Sequence, residues 1–457
     1  MSEDATLDEF VEAGSSVSES GRVETSIGQL PSDWRVEWLN EVCDINPDGF
    51  SENDWTSDTF EYISLSNVSE GEILQSETTP VDKAPSRAQR KINEGDVLVG
   101  TVRPKQVSHG FVTAEHDGKI CSSGFGVLRP SPAVHPNYLI QEVLSHRFFR
   151  QMEAYVAGSG YPAVKIGDLK RHRISVPPVE EQRKIASTLY NIDQAIQKTE
   201  EVADQLETVR RGTEQDVLSR GVQEDGTLRP DDQIKYRSSW VGEIPRDWEV
   251  KQYSKLISDS SVGIVVKPSQ YYDDSGTVPI LRSKDISRDG IVEEDFEYMT
   301  EESNTENENS QLQEGDVITV RSGDPGLSCV VPAEFSGANC ADLLISTPGP
   351  DLDPHYAAMW INSFAGRKQI DRFQAGLAQK HFNLGALRKL RVGVPPLDEQ
   401  KRIVEKVSSI SETLEREIRY KNQLQRLKRG LMQDLLSGTV RTTDTNIEVL
   451  DEVAQHG

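Results

Sequence analysis

The seven residues Val176–Gln182, with the sequence VPPVEEQ, decide the fold of this 457-residue chain. They recur 218 positions later as VPPLDEQ at Val394–Gln400, and each copy precedes a long stretch with helical periodicity. Prolines followed by acidic residues are typical of a helix start, because proline suits the first turn and acids complement the helix dipole. The chain therefore contains one sequence unit twice, and each unit ends in a long helix.

Further matches extend this repeat in both directions from the two motifs. The shift between matching segments varies from 214 to 220 positions, as small insertions in loops would produce. A unit of this length is too long for a solenoid repeat, so each copy should be a domain with an appendage. The matching pairs are Leu30–Trp34 with Ile244–Trp248, Glu94–Val97 with Glu314–Val317, Cys121 with Cys340, and Arg211–Gly212 with Arg429–Gly430.

The segment after each Pro-Pro pair has the apolar spacing of a coiled coil. Apolar residues recur every three or four positions over 185–217 and again over 403–435, and Gly221 and Gly438 stand where helix C-caps belong. Each helix of about 40 residues would be about 60 Å long. Neither is stable alone with an exposed apolar stripe, so the two helices should pair. We expect an antiparallel pair, because the intervening domain must return the chain.

The segments before each Pro-Pro pair combine short β-type runs with two helical stretches, which open at Pro136 and Pro354. This texture predicts an α+β fold in which two repeated mixed α/β domains are each followed by a long coiled-coil helix. The expected boundaries are an acidic disordered tail at 1–24, a first domain at 25–178, a first spacer helix at 179–221, a linker at 222–242, a second domain at 243–396, a second spacer helix at 397–438 and an acidic tail at 439–457.

The net charge of −25 has two explanations. Either the partner of this protein is not an anion, or the protein comes from a halophile with acidic protein surfaces. Acids are spread along the whole chain, which favours the halophile and leaves nucleic acid possible as a partner. The run from Asp289 to Asp316 holds eleven acids and no base, and we interpret it as a solvated insertion rather than a metal site.

Several classes of protein are excluded by missing patterns. No run of 18 apolar residues could cross a membrane, and the N-terminal segment lacks the basic and apolar regions of a signal peptide. The four cysteines contain no CxxC pair, so neither a zinc ribbon nor a disulfide framework is supported. These observations predict a cytoplasmic protein.

A search for catalytic motifs finds none. The chain has no GxxxxGK[ST] or GxGxxG phosphate loop, no GxSxG elbow and no HExxH helix, and its eight histidines lack ligand spacing. A nuclease or methyltransferase fused to a DNA-reading domain would need such a loop, or an Asn/Asp-Pro-Pro-aromatic motif. The only Pro-Pro pairs follow Val176 and Val394. We therefore expect no catalytic residues, no metal site and no cofactor on this chain.

Positive charge on turns is the remaining chemical signal. In the first copy a basic turn follows the strand that begins near Asp96, and in the second copy a basic turn occupies nearly the same place after Asp316. Arginines and lysines on loops held by a rigid sheet can pair with guanine or hold phosphates, although ordinary surface charge is the alternative. The candidate DNA-binding residues are Arg103, Lys105, Lys165, Arg282, Lys284, Arg321, Ser322 and Lys380.

The order of these elements resembles the DNA-specificity subunits of type I restriction–modification systems. The resemblance covers residues 25–441 and includes the Gly-Asp-Val strand, the basic turn, the VPPxxEQ motif, the long helix and the terminal Leu431–Gly438 (LMQDLLSG). It implies two target-recognition domains, each reading one half of a split sequence in double-stranded DNA. It implies that two long coiled-coil helices separate these domains in a pseudo-twofold arrangement. It also implies that the helices bind two methyltransferase subunits, that restriction/translocase subunits join the complex, and that the chain itself is not an enzyme.

Two further expectations follow from this resemblance. S-adenosylmethionine, ATP and Mg²⁺ belong on the partner subunits, and the long helices act as a ruler that sets the unread spacer between half-sites. The alternative is a coiled-coil scaffold protein without DNA recognition.

Overall fold

The computed structural model describes residues 21–51, 55–156, 162–230, 234, 236–239, 241–374, 381–443 and 445–454. The chain divides into unit 1, which comprises Met1–Thr199 and Tyr420–Gly457, and unit 2, which comprises Glu200–Arg419. Each unit contains one domain, the first part of one long helix and the last part of the other. Residues 1–20 of the predicted N-terminal tail lie outside the described residues, whereas residues 22–24 of that tail belong to a strand.

In the described residues, unit 1 begins with a domain of fourteen strands and four α-helices. The strands are β1 (Arg22–Thr25), β2 (Gly28–Pro31), β3 (Arg35–Trp38), β4 (Cys43–Ile45), β5 (Thr59–Ile63), β6 (Val68–Ser69), β7 (Glu72–Ile73), β8 (Glu77–Pro80), β9 (Ala88–Lys91), β10 (Val97–Gly100), β11 (His109–Phe111), β12 (Ile120–Ser122), β13 (Phe125–Pro130) and β14 (Arg173–Val176). The helices are α1 (Leu39–Val42), α2 (Pro136–Val143), α3 (His146–Ala154) and α4 (Ile166–Leu169), and the long helix α5 (Val179–Arg220) follows.

Two four-stranded sheets form the body of this domain. One has the order β11-β10-β13-β4 and is antiparallel throughout, whereas the other has the order β8-β5-β12-β9 and contains the parallel pair β5 and β12. All four residues of β10 are buried, which explains why its sequence is a continuous apolar run rather than an alternating one. Strand β14 pairs with β3, so the last strand before the Pro-Pro pair lies beside a strand near the start of the domain.

Unit 2 repeats this plan. Its strands are β15 (Tyr236–Ser239), β16 (Gly242–Pro245), β17 (Glu249–Gln252), β18 (Ile257–Val262), β19 (Val278–Leu281), β20 (Ile286–Ser287), β21 (Gly290–Ile291), β22 (Glu297–Met299), β23 (Val317–Val320), β24 (Ser328–Val330), β25 (Asn339–Cys340), β26 (Leu343–Pro348) and β27 (Arg391–Val394). Its helices are α6 (Glu301–Glu306), α7 (Pro354–Asn362), α8 (Phe364–Gln374), α9 (Leu384–Lys389) and the long α10 (Leu397–Leu436), and the short α11 (Asp451–Ala454) follows in unit 1.

The sheets of unit 2 correspond to those of unit 1. The antiparallel sheet has the order β18-β26-β23-β24, and the second sheet, β22-β19-β25, contains the parallel pair β19 and β25. Most acids of the run 289–316 are exposed to solvent, but the run is not merely the insertion that the sequence suggested. It supplies β22 and α6, and it buries Met299 completely.

The long helices pack against each other in an antiparallel manner inside each unit. In unit 1, Ile185 and Leu189 near the start of α5 share a core with Leu435 near the end of α10, and Lys428 Nζ lies 2.5 Å from an oxygen of Asp193. In unit 2, Val217 near the end of α5 shares a core with residues near the start of α10, including Ile403 and Val407. The expected antiparallel arrangement is therefore present in both units.

The apolar stripe is not buried along the whole of either helix. Val202 and Val209 of α5 are 42% and 53% exposed, and Ile418 and Leu427 of α10 are 43% and 52% exposed. The expectation that partner helices of the same chain cover the full stripe is wrong at these positions. An apolar surface on the middle of each helix is left open to solvent.

The VPPxxEQ motif joins each domain to the long helix that follows it. The side chain of Gln182 is fully buried, accepts a hydrogen bond from the His135 backbone N–H at 2.7 Å, and donates to the carbonyls of Ala133 and Pro177. Gln400 makes the same three bonds in unit 2, with Asp353 in place of His135. Because His135 and Asp353 are the N-caps of α2 and α7, the glutamine fixes a domain helix to the start of a long helix.

The glutamate of the motif joins the same region to the end of the other long helix. In unit 1, Glu181 accepts hydrogen bonds from Trp34 Nε1 at 3.0 Å and from the guanidinium of Arg441, which follows α10. In unit 2, Glu399 accepts a hydrogen bond from Arg229 Nη2 at 2.6 Å, and Arg229 follows α5. Each carboxylate is buried, and each is neutralised by an arginine that is distant in sequence.

The C-terminal segment packs on unit 1. Lys184 Nζ donates to the carbonyls of Thr442 and Thr445 at 3.1 and 2.9 Å, and the backbone N–H of Leu450 donates to Ser187 Oγ. Val453 is completely buried in the main core of unit 1. The segment that the sequence identified only as an acidic tail is therefore part of the packed structure up to residue 454.

Candidate nucleic-acid interface

The strongest group of candidate residues lies where three strands of unit 2 end or begin. Arg282 follows β19, and Asp342 lies two residues after β25; because β19 and β25 are parallel, these positions meet at one edge of the sheet. Arg321 follows β23, whose last residue, Val320, pairs with Leu343 at the start of β26. The topology therefore places Arg282 and Arg321 on either side of Asp342.

Asp342 organises the turn that follows β23. Its carboxylate accepts a hydrogen bond from Arg321 Nη1 at 2.8 Å and another from Ser322 Oγ at 3.1 Å. Ser322 Oγ also lies 2.8 Å from Nδ1 of His381. Asp342 has a φ of 54°, a left-handed conformation that a non-glycine residue adopts at some cost, and its backbone N–H donates to the Ile264 carbonyl. The two predicted residues Arg321 and Ser322 thus belong to one polar network.

Arg282 and Lys284 form a second basic group beside this network. Arg282 Nη1 donates to Glu297 at 2.9 Å, and its guanidinium lies over the ring of Tyr272 at 5.8 Å. Lys284 Nζ donates to the carbonyl of Asp295 at 2.8 Å, while about half of its side chain remains exposed. The acidic run that precedes α6 therefore partly neutralises both cations and holds them in place.

An open cavity of about 280 Å³ connects the two groups. Cations, acceptors and an aromatic face line one concave surface, which suits a polar, planar ligand group such as the edge of a base. The lining residues are Pro268, Tyr272, Arg282, Ser283, Lys284, Ala341 and Asp342.

The predicted residues of domain 1 are less concentrated. Arg103 is exposed, has a φ of 50° and precedes a short 3-10 turn; its backbone N–H donates to the Pro162 carbonyl. Lys165 is the exposed N-cap residue of α4 on the neighbouring segment. Lys105 is also exposed, with Nζ 3.9 Å from Glu153. The structure thus places Arg103 and Lys165 on paired segments, and Lys105 in the turn between β10 and β11.

The two basic turns, which the sequence put at nearly the same place, are offset by two residues. The carbonyl of Arg321 accepts from the Phe382 N–H, and the carbonyl that makes the equivalent bond in domain 1, with the Val164 N–H, belongs to Thr101. Thr101 Oγ1 donates to the Gly124 carbonyl at 2.8 Å, where Arg321 has Asp342. The two domains therefore present different side chains at the same structural position.

A second pair of equivalent positions shows the same difference. The backbone N–H of Arg282 donates to Asp285 Oδ2 at 2.8 Å, and the backbone N–H of Ser64 makes the same bond with Asn67 Oδ1 at 2.8 Å. A small hydroxyl in domain 1 thus replaces a guanidinium in domain 2. Different donors and acceptors on the same frame would favour different base pairs.

Sequence reasoning missed the acceptor of this site and its aromatic face. Asp342 and Tyr272 were not among the candidates, and His381 was set aside as one of several scattered histidines. No sequence signal marks Asp342, because its role comes from strand pairing across the sheet. Lys380, the remaining candidate, lies outside the described residues.

Metal and thiol chemistry finds no support in the described ranges. Within them no three His, Cys, Asp or Glu side chains are grouped to hold a metal ion. The four cysteines are free and buried, and burial raises the pKa of Cys43, Cys121 and Cys329 to about 12. Nor does this part of the chain contain a helix with the length and apolar character needed to cross a membrane.

Comparisons with known proteins agree with this picture. The family model described as the type I restriction modification DNA specificity domain matches residues 31–208 and 245–426. The MjaIX specificity subunit of a type I restriction enzyme from Methanocaldococcus jannaschii is 22% identical, over 92% of this chain and 96% of its own length. The EcoKI specificity subunit from Escherichia coli is 22% identical, over 91% and 90% of the two chains.

Solved structures share the fold. A chain from a study of complex assembly and conformational transition of the type I R-M system aligns with a TM-score of 0.56 and 21% identity, over 90% of this chain and 99% of that one. The S subunit of a type I restriction-modification system from M. genitalium aligns with a TM-score of 0.54 and 12% identity, over 88% and 96%. The two domains and two long helices are thus a known arrangement.

Proposed function

The chain belongs to the type I restriction modification DNA specificity family, and on that premise we propose that each of its two domains reads one half of a bipartite site in double-stranded DNA. It is a non-catalytic specificity subunit, and it selects a sequence on which other subunits act. The observation that carries the proposal is the polar cavity of domain 2, which is lined by Arg282, Lys284 and Asp342, the last of which pairs with Arg321.

The chemistry of this cavity suits the edges of base pairs in the major groove. Arginine pairs with the O6 and N7 acceptors of guanine, and a carboxylate accepts from the amino group of cytosine. Asp342 holds Arg321 by one nitrogen, Nη1, and about two-fifths of the Asp342 side chain is exposed. Lys284 at the rim is placed to contact phosphates, which would set the register of the domain on the duplex.

The two half-sites should differ in sequence. Thr101 and Ser64 stand in domain 1 where Arg321 and Arg282 stand in domain 2, so the same frame carries hydroxyls in one domain and guanidinium groups in the other. In domain 1 we expect the positive charge to come from Arg103 and Lys165, which lie on two segments that are joined by backbone hydrogen bonds. Reading by domain 1 would therefore rest on a different set of donors.

We propose that exposed apolar residues on the long helices of each unit form docking surfaces for methyltransferase subunits. In unit 2 these residues are Val202, Val209 and Ile418, and in unit 1 they are Tyr420 and Leu427. All are more than two-fifths exposed, which is unusual for large apolar residues that recur along a helix. Two such subunits would match the two repeats, and restriction/translocase subunits would join them. S-adenosylmethionine, ATP and Mg²⁺ would belong to these partners.

Two experiments test the proposal. Sequencing of methylated bases in cells with and without this gene should reveal one bipartite motif that is lost with the gene. A mobility shift with the assembled subunits, at the salt concentration of the source cell, should show binding to that motif and not to a scrambled duplex. A methylation pattern that does not change, together with no specific shift, would contradict DNA reading. The coiled-coil scaffold alternative receives no support from the comparisons.

A further inference from the structure

A hairpin of domain 2 forms ion pairs with the last third of α5 within unit 2. Strands β20 and β21 form this hairpin, and its tip carries Arg288 and Asp289. Arg288 Nη2 contacts both carboxylate oxygens of Glu214, and Arg210 Nη1 contacts Asp289 Oδ1. We call these two ion pairs the hairpin clamp. Arg210 also lies 2.9 Å from Glu207, which orients its guanidinium along the helix.

The hairpin clamp is buried on the helix side. The side chains of Arg210 and Glu214 are 8% and 7% exposed, whereas Arg288 and Asp289 on the hairpin are 31% and 47% exposed. The positive Arg210 of α5 therefore faces the negative Asp289 of the hairpin, and the negative Glu214 of α5 faces the positive Arg288. Burying such charges costs about as much free energy as their attraction returns, so the clamp specifies geometry more than it adds stability.

The base of the hairpin is anchored in the domain. Ile286 is buried in a core that includes Leu281 and Val331, so the tip cannot move freely relative to the sheets. The end of α5 is held separately, because Val217 packs in the core that contains Trp248. Arg210 precedes Val217 by seven residues, or about 10 Å along a helix. Two attachments that far apart prevent the domain from pivoting about the end of α5.

Domain 1 lacks these charges at the corresponding hairpin. Its strands β6 and β7 enclose Glu70 and Gly71 at the positions of Arg288 and Asp289. The clamp is therefore a property of domain 2 and is not required by the shared fold.

We infer that the hairpin clamp sets the angle at which domain 2 is held on α5, and thereby the spacer length that the subunit accepts between half-sites. The inference rests on the proposed reading of a bipartite site. None of Arg210, Glu214, Arg288 and Asp289 lines the polar cavity, and they act as positioning residues. They would restrict spacing without reading a base.

The test uses the full chain assembled with its partner subunits and a set of duplexes that hold both half-sites constant while the spacer changes by single base pairs. The double variant Glu214→Gln/Arg288→Gln removes both charges and leaves no buried charge unpaired. It should reduce the preference for the best spacer over its neighbours by about fivefold. Discrimination between correct and altered half-sites should stay as in the wild type.

Two further variants make the outcome decisive. The charge exchange Glu214→Arg/Arg288→Glu should recover part of the wild-type preference, because it rebuilds the ion pair in the opposite sense but places a second guanidinium one helical turn from Arg210. Asp289→Asn removes only the second ion pair from an exposed residue, and it should broaden the profile less. Glu415→Gln/Arg419→Gln is the matched control, since it neutralises an exposed pair on α10 in the same unit.

Three results would overturn the inference. One is an unchanged spacer profile in both Glu214→Gln/Arg288→Gln and Asp289→Asn. Another is a loss of affinity by the same factor on every spacer, which would indicate a purely structural role. The third is a wild-type complex that ignores changes in either half-site. That last result would contradict the proposed function itself, and it is distinguishable because it appears before any variant is made.

Discussion

Glu181 in the first turn of α5 accepts a hydrogen bond from Nε of Arg441 at 2.8 Å, although the two residues are 260 positions apart in sequence. The same guanidinium donates to both oxygens of Asp33, which precedes Trp34. One arginine after α10 thus binds the start of domain 1 and the start of α5. Arg229 makes the corresponding contacts with Asp247 and Glu399 in unit 2.

Arg441→Ala should therefore destabilise unit 1. Removing the guanidinium leaves the buried Glu181 carboxylate without its cation. We expect the free energy of unfolding to fall by about 2 kcal/mol, which is less than for a fully buried ion pair because the Arg441 side chain is 31% exposed. Hydrogen exchange measured peptide by peptide would show faster exchange in unit 1. Arg183→Ala, which breaks only the exposed pair with Glu180, should have little effect. Equal changes in the two variants would contradict this assignment.

Unit 1 should lose stability as the pH falls from about 6.5 to about 4. Burial lowers the pKa of His109 from 6.5 to about 4, so the folded state holds this ring neutral while the unfolded chain takes up a proton. The free energy of unfolding therefore has its full value above pH 6.5, the pKa of histidine in the unfolded chain. It decreases by about 3 kcal/mol as the pH falls to the pKa of His109 in the folded state. Burial also lowers the pKa of His172 in the same unit.

The control for this pH dependence is within the protein. His109 pairs with Val99 across the sheet, and at the corresponding place in unit 2 Ser328 pairs with Thr319 and cannot titrate. His109→Asn keeps an acceptor near the Gly100 N–H and removes the titration, so thermal unfolding of the variant should depend less on pH. An identical pH profile in wild type and variant would show that His109 is not responsible.

Arg321→Ala should weaken recognition of one half-site by about 1–3 kcal/mol if the guanidinium contacts a base edge. Arg103→Ala tests the basic turn of domain 1 and should affect only the other half-site. Binding of each variant to duplexes altered in one half-site at a time is the measurement. If both variants lose affinity uniformly for all sequences and show a shallower salt dependence, these arginines hold phosphates instead.

Insertion of four residues between Ala203 and Asp204 should lengthen the preferred spacer. The insertion adds about 6 Å to α5. It leaves the hairpin clamp intact, because Arg210 and Glu214 move together with domain 2. Both half-site sequences should stay the same in a methylation motif assay. Normal activity on the original spacer alone would show that the helices are not the ruler.

The purified chain alone should neither cut nor methylate DNA. Methyl transfer should require methyltransferase subunits and S-adenosylmethionine, and titration of those subunits should reach a plateau at two per chain. The assay is incorporation of labelled methyl groups into a duplex that carries the motif. Methylation by the isolated chain would be incompatible with a non-catalytic subunit.

The sequence by itself determined the repeat, the two domains and the two long helices. Local chemistry explains this success, because Pro136 and Pro354 start helices, apolar spacing of three and four marks α5 and α10, and the VPPxxEQ motif precedes the long helix in both copies. These features depend on residues close in sequence or on a pattern that repeats. The candidate cations Arg282, Lys284 and Arg321 and the polar Ser322 were also predictable as charged or polar turn residues.

Only the tertiary structure decided which turn residue occupies which place and what neutralises it. Thr101 rather than Arg103 corresponds to Arg321, because strand pairing and not sequence order sets the register at the sheet edge. Asp342 and Arg441 acquire their roles from partners that folding brings together. The middle of the apolar stripe is exposed for a related reason: helical periodicity marks a face for burial, but neighbouring elements determine whether that face is covered within this chain.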